Sequence, residues 1–278
     1  MGRNCFESKS INTNSRRSDV IWLNDRLVAT QDAVIPVTDR SFLLGEGVFE
    51  TIRTQNGESV ALDRHLKRLR KGATVLEINI PKDDFFRSAV NEVLNATKEI
   101  LIGRMRITVS GSGNLVITHT SYTPWSEPAG VVTYPFPLNE RSLLANVKST
   151  SYATSLSAHK YATARNADDA ILFGTKGQLA EASTANIFLL LGNKLLTPNL
   201  DSGALPGITR ELVLEWGLAQ EAELNFDDLA KAEGALLSSS LRYLQPIDRI
   251  NARSFKVNKK IEEIMTSFTE QLSTNLNP

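Results

Sequence analysis

The sequence predicts an α+β fold in two parts. Strands come in runs with helices at their flanks, without strict β-α-β alternation. A segment with no clear period, residues 136–147, separates the runs. A length of 278 residues suits one large domain or two smaller ones sharing an interface. The expected division is a polar, flexible extension over 1–18, a small N-terminal domain over 19–135, the connector over 136–147, and a large domain over 148–278.

Val20 to Val28 alternates around Asn24-Asp25 and reads as a hairpin. Val48 to Arg53 reads as a strand, entered through Gly45 and Gly47. Its two-residue period puts Phe49, Thr51 and Arg53 on one face. An aromatic, a hydroxyl and a guanidinium so placed suit a binding surface, and a half-exposed strand with a solvated arginine gives the same pattern. Asp63 is a candidate cap for a helix with Leu66, Leu69, Ala73 and Leu76 at helical spacing. Among its basic residues, Arg68 stands beside the core-facing Leu69 and is best placed to point inward. Pro81 to Thr97 reads as a second helix that buries Phe85, Phe86, Ala89, Val93 and Leu94. Strands follow at 103–110, 115–121 and 131–135. Ser110 to Asn114 reads as a hairpin turn, since it lacks the strand-to-helix setting of a nucleotide loop. The second half reads helix (152–164), three or four strands (169–197), helix (209–219), strand (234–238) and helix (258–273). Ile261, Ile264, Met265, Phe268 and Leu272 line one face of the last helix.

Lys+Arg and Asp+Glu balance at 31 each, so bulk charge points to neither nucleic acid nor a membrane surface. No apolar run reaches the roughly 18–20 residues of a membrane span, and residues 1–18 lack the apolar core of a signal peptide. The single cysteine, Cys5, excludes a disulfide within the chain. A cytoplasmic location is expected. His65, His119 and His159 lie far apart with no metal-ligand spacing, so no metal site is expected. Neither a Gly-x-Ser-x-Gly elbow nor a Walker loop occurs.

The chemistry concentrates between Lys148 and Thr209. A lysine becomes a covalent catalyst toward aldehydes when desolvation or cationic neighbours lower its pKa, and Lys148 is followed by small and hydroxylic residues. Glu181 stands alone in the small, apolar AEASTANIF and needs a partner if buried. Gly207 permits a sharp turn into a helix that Thr209 can cap, and the first amides of such a helix suit a phosphate. Ser238, Ser239 and Ser240 add hydroxyls beyond the strand at 234–238. An amine, a carboxylate and a phosphate cradle together name pyridoxal 5'-phosphate (PLP).

With DRSFLLGEGVFETIR at 39–53, HLKRL at 65–69, KSTSY at 148–152, ADDAIL at 167–172, LAEASTANIF at 179–188 and GALPGITR at 203–210, the chain resembles the class IV aminotransferases, the fold type IV PLP enzymes. The resemblance covers residues 20–275. It implies a small N-terminal α/β domain, a larger PLP-binding C-terminal domain with a barrel-like sheet, and a homodimer with the active site near the subunit interface. By position, Lys148 becomes the Schiff-base lysine and proton shuttle. Glu181 holds the ring nitrogen protonated, and Arg68 grips the phosphate with Ile208, Thr209, Ser239 and Ser240. Tyr152 matches a tyrosine that hydrogen-bonds the ring hydroxyl in some members. Phe49, Thr51 and Arg53 are the expected substrate contacts.

The family's branches share these residues. The Thr-Arg-Gly loop of D-amino-acid transaminases has no arginine here, where Thr108-Val109-Ser110-Gly111 stands. GEGVFETIR and KSTSYA most resemble the aminodeoxychorismate lyases, which release pyruvate and 4-aminobenzoate on the folate route. The favoured expectation is therefore 4-amino-4-deoxychorismate lyase. The alternatives are a transaminase of branched-chain L-amino acids, D-amino acids or R-amines with a 2-oxo acid acceptor, and an inactive PLP-binding relative.

Overall fold

A computed structural model describes residues 19–255 and 258–278. The extension expected over 1–18, with Cys5, lies outside them. Strands β1 (Val20–Leu23) and β2 (Arg26–Ala29) form the first hairpin, turning on Asn24, whose φ of 58° suits asparagine. A short helix α1 (Arg40–Leu44) is capped by the Asp39 carboxylate, which accepts from the Ser41 amide, and ends on Gly45 at φ 67°. Then come β3 (Gly47–Gln55), β4 (Glu58–Ser59), α2 (Leu62–Val75), α3 (Asp83–Ala96), β5 (Ile102–Ser110) and β6 (Leu115–Ser121). These strands build a six-stranded antiparallel sheet in the order β2-β1-β6-β5-β3-β4.

One face of that sheet is apolar by alternation. Ile52, Met105, Ile107 and Ile117 pack against Leu66 and Leu69 of α2 and Phe86, Ala89, Val90 and Val93 of α3. Each of the larger side chains contributes about 1.5–3 kcal/mol by leaving water. The opposite face carries Phe49, Thr51 and Arg53 on β3 with Thr108, Arg106 and Arg104 across from them on β5. It looks toward the second half of the chain.

That half comprises β7 (Ala129–Thr133), α4 (Ala153–Thr163), β8 (Asp169–Phe173), β9 (Leu179–Ala182), β10 (Asn186–Leu191), β11 (Lys194–Pro198), α5 (Ile208–Glu215), β12 (Gln220–Ala222), α6 (Phe226–Lys231), β13 (Gly234–Ser239), β14 (Tyr243–Ile250), β15 (Arg253–Ser254) and α7 (Lys259–Thr274). Its sheet runs β12-β11-β10-β13-β14-β7-β8-β9, with β15 on β14. The pairs β11–β12, β14–β7 and β7–β8 are parallel. Phe188, Leu190 and Leu236 of this sheet pack on Leu212 and Val213 of α5 and on Ile264 and Phe268 of α7.

Four expectations move. β7, which the division at 135 puts in the first part, pairs with β14 and β8 in the second sheet. Helix α2 starts after Ala61, at φ 54°, and not at an Asp63 cap; the Asp63 carboxylate is held by Arg87. Helix α5 stops at Glu215 instead of 219, because Gly217 turns the chain at φ 69°. Phe85, expected in the core of the second helix, is 39% exposed and meets the Trp22 ring edge-on. The hairpin at 110–114 is as expected, with Gly113 at φ 86°.

Candidate active site

Lys148 sits where the connector returns to the first sheet. The Phe49 amide donates to the Lys148 carbonyl (2.9 Å), the Thr150 amide donates to Gly47 (2.8 Å), and Ser149 bridges Val48. The segment is thereby stitched along β3, which aims the lysine into the cleft between the sheets. Its Nζ lies 4.6 Å from the centroid of the Phe49 ring and 5.9 Å from that of Tyr152, and those rings meet edge-to-face at 5.4 Å. Burial, reinforced by the Arg68 charge, lowers the Lys148 ammonium from 10.5 to about 8.

Glu181 comes from β9. Burial raises its carboxyl to about 7 against the pull of the Leu205 amide, which donates to Oε2 at 2.9 Å. Both Lys148 and Glu181 remain partly open to the cleft. The Tyr152 hydroxyl donates to the Ser183 carbonyl (3.3 Å), and burial pushes it up to about 12. It stays protonated at neutral pH.

Arg68 does point inward, and its partner is Glu50. Arg68 Nε and Nη2 donate to the two oxygens of this fully buried carboxylate at 2.7 and 2.6 Å, and Nη1 donates to the Pro206 carbonyl at 2.9 Å. Despite burial, Arg68 and His65 hold Glu50 down at about 2. His65 shares the buried face of α2, three residues before Arg68. Its Nδ1 meets Glu50 at 2.6 Å, while burial lowers its pKa. A carboxylate only accepts, so Nδ1 carries the proton and Nε2 accepts from the Ser240 hydroxyl (3.2 Å).

Helix α5 opens against this group. Its N-cap is Gly207 and not Thr209, which lies buried in the first turn next to Ile208. No side chain caps the helix, so its first amides are free to meet an anion. A Cβ at Gly207 would collide with Asn186 Oδ1, so glycine lets strand and helix start approach closely.

The cleft thus gathers Lys148, Tyr152, Glu181, Arg68, Phe49, Thr51 and the start of α5. Ser239 stands apart in role: its oxygen accepts from the Arg242 amide and closes the β13–β14 turn (3.2 Å). Ser240 is tied to His65, and it is Ser238 Oγ that is buried without a partner. Arg53 crosses to the second sheet, donating to the Leu241 carbonyl (3.2 Å) and stacking on Tyr243 (4.3 Å). Sequence reasoning missed Glu50, His65 and Arg106. Arg106 lies 3.7 Å over Phe49 with one hydrogen bond, to Thr108 (3.1 Å), and no acidic partner among the described residues. The signal for Glu50 was present: an acid at the alternate position of a strand whose core face it must share.

The residues fit PLP. Arg68 has two N–H groups left over beside the uncapped amides of α5, which suits a phosphate. Glu181 Oε1 has no hydrogen-bond partner among the described residues, which suits a protonated ring nitrogen. The depressed Lys148 amine feels the charges of both Arg68 and Glu181.

Known proteins resemble this chain over most of its length. The profile described as amino-transferase class IV matches residues 47–250. A D-alanine aminotransferase of Listeria innocua is 28% identical, with 83% of this chain and 87% of that one covered. An aminodeoxychorismate lyase of Vibrio harveyi is 26% identical, with 87% and 96% covered. The crystal structure of a branched-chain aminotransferase from Thermoproteus uzoniensis superposes with a TM-score of 0.84 at 25% identity, with 90% and 93% covered. The fold, the motifs and the match over most of its length place this chain in the class IV aminotransferase family, as a PLP-dependent enzyme.

Proposed function

We propose that the protein is a 4-amino-4-deoxychorismate lyase, acting in the cytoplasm as a homodimer and using Lys148 on a PLP-bound amino substrate. The observation that carries the mechanism is the desolvated Lys148 amine, near 8, sharing the cleft with the Glu181 carboxyl, near 7. PLP, when bound, supplies an electron sink that stabilises negative charge at the substrate carbon. Lys148 would hold it and would move the proton at the substrate carbon, a task suited at neutral pH to an amine near 8. Arg68, fixed by Glu50, and the first amides of α5 hold the phosphate. Glu181 holds a proton at the ring nitrogen.

The lyase branch is favoured by the GEGVFETIR strand and the KSTSYA segment. In place of a carboxylate-trapping arginine at 108–111, Ser110 is buried and donates to Asp39 (2.7 Å). Transamination of branched-chain or D-amino acids is the second reading, supported by the D-alanine aminotransferase and branched-chain relatives. The dimer is supported by exposed apolar residues beside the site. Val34, Val37, Phe42, Leu43 and Leu44 are 59–76% exposed on and before α1, and Leu143 is 70% exposed in the connector.

The test is to supply aminodeoxychorismate and, separately, L-leucine and D-alanine to the purified enzyme. Pyruvate and 4-aminobenzoate without change of the visible cofactor band support the lyase. Loss of that band with one amino donor refutes it and names a transaminase. Lys148→Ala is expected to lose turnover by more than a thousandfold, about 4 kcal/mol of transition-state stabilisation, with its circular dichroism unchanged. Turnover at the wild-type rate removes Lys148 from the mechanism.

A further inference from the structure

The connector over 136–147 forms no helix or strand, yet it is anchored at both ends to the segments that hold Glu181. At its start, the Leu138 amide donates to the Phe173 carbonyl (2.8 Å), and the Glu140 carboxylate accepts from the amide and the hydroxyl of Thr175 (3.0 and 2.7 Å). Thr175 lies in the turn that leads from β8 into β9, the strand of Glu181. At its end, two residues before Lys148, Asn146 stands at φ 62°, a conformation that asparagine tolerates. Its side-chain amide uses both N–H groups, donating to the Leu200 carbonyl (3.1 Å) and the Ala204 carbonyl (2.6 Å). The next residue, Leu205, gives its amide to Glu181 Oε2 (2.9 Å), and its carbonyl accepts from the Asn186 side chain (2.8 Å). Gly203 packs so closely against the connector that a Cβ there would lie 2.9 Å from Glu140 Cα.

A short path thus joins the amine to the carboxylate: Lys148 to Asn146 along the chain, then Asn146 through Ala204 and Leu205 to Glu181. Asn146 is exposed, where a hydrogen bond adds little to stability. What its two bonds add is a fixed distance. We propose that the connector is a spacer between Lys148 and Glu181, with Asn146 its positioning residue and Glu140 its second anchor, so that one rigid cofactor can meet both groups. This rests on the PLP-dependent reading above and deepens it. Without Asn146, Leu205 loses its fixed place, and Glu181 loses a donor that favours its charged form. A carboxyl more easily protonated holds the proton of a ring nitrogen less firmly. A ring with less positive charge leaves the Lys148 nitrogen joined to it more basic.

Asn146→Gly tests the proposal, since glycine keeps the backbone conformation and removes both bonds. In PLP-free protein, hydrogen exchange in a peptide spanning 200–205 is expected to be about tenfold faster than in wild type. In the PLP-loaded enzyme, the pH midpoint of the visible cofactor band is expected to rise by about half a unit or more. At the same time kcat is expected to fall about tenfold, with KM within about twofold. Glu140→Ala, at the other anchor, is expected to move exchange and midpoint in the same direction by less. A midpoint and kcat at wild-type values in Asn146→Gly overturn the proposal even if exchange or melting temperature changes, because the bonds are then structural alone. If Asn146→Gly does not fold, an unmoved midpoint in Glu140→Ala overturns it. So does loss of PLP from both variants, because a spacer orients the cofactor and does not retain it. A wild-type protein that takes up no PLP refutes the cofactor reading and this one with it. A normal wild-type band that Asn146→Gly leaves unmoved refutes this one alone.

Discussion

Replacing Glu50 by Gln tests whether the buried cluster behind the phosphate site is held by charge. Glu50 is fully buried, yet its pKa lies at about 2 where an ordinary glutamate has 4.5. That difference corresponds to about 3 kcal/mol of native-state preference for the carboxylate. Removing one partner of a buried ion pair costs a similar amount, about 3–5 kcal/mol, because Arg68 is left uncompensated. At about 2–4 °C per kcal/mol for a chain of this size, Glu50→Gln lowers the melting temperature by about 10 °C.

The pH dependence gives a sharper check. A carboxyl depressed in the folded state stabilises fully above its unfolded pKa, near 4.5, and that stability is lost as pH falls toward about 2. Wild type therefore loses this contribution on acidification and Glu50→Gln has none to lose, so the gap between them closes below about pH 4. His65, depressed chiefly by burial, adds a loss below its ordinary 6.5 in both proteins. Thermal and urea melts of PLP-free protein from about pH 3 to 8 measure the effect. A variant melting within about 2 °C of wild type, or a gap that does not narrow in acid, refutes the reasoning.

Two further outcomes are expected at the site and its rim. The rate at which PLP-free enzyme takes up PLP, read by the visible band, should rise with pH and level off above about 8, because only the neutral Lys148 amine attacks an aldehyde. A rate still climbing beyond pH 10 means that the lysine is not desolvated. Phe42→Asp, at a residue 70% exposed in α1, should shift the protein from dimer to monomer in sedimentation velocity and cut turnover by tenfold or more. A monomeric wild type, or a variant that still dimerises with full activity, removes α1 from the interface.

Much of the site was legible because its chemistry needs rare residue types in sparse surroundings. Lys148 and Glu181 stand out as ionisable groups among small residues, and alternation alone put Phe49, Thr51 and Arg53 on one face. The hidden part depends on pairing between distant strands. Arg106 is an ordinary strand arginine until the β3–β5 register sets it beside Phe49. Alternation puts Glu50 on the core face of β3, but its partners, His65 and Arg68, show only once α2 packs over it. The strand expected at 131–135 falls in the first part by its place in the chain, yet at 129–133 it pairs in the second sheet, because nothing local distinguishes the last strand of one part from the first of the next. Thr209 lost the cap to Gly207 because contact with Asn186, far off in sequence, fixes where the helix opens.

Helix α2 starts where one core gives way to the other. Val60 and Ala61, just before it, belong with Phe188, Leu212 and Phe268, whereas Leu62, Leu66 and Leu69 belong with the first sheet. Arg64 is clamped to Glu211 and Glu215 of α5, Arg68 to the Pro206 carbonyl, and Arg53 to the Leu241 carbonyl. Any swing of one sheet against the other about α2 has to break these contacts. Local yielding of side chains and loops at the rim leaves them intact, and with them the seating of Arg68 against the start of α5.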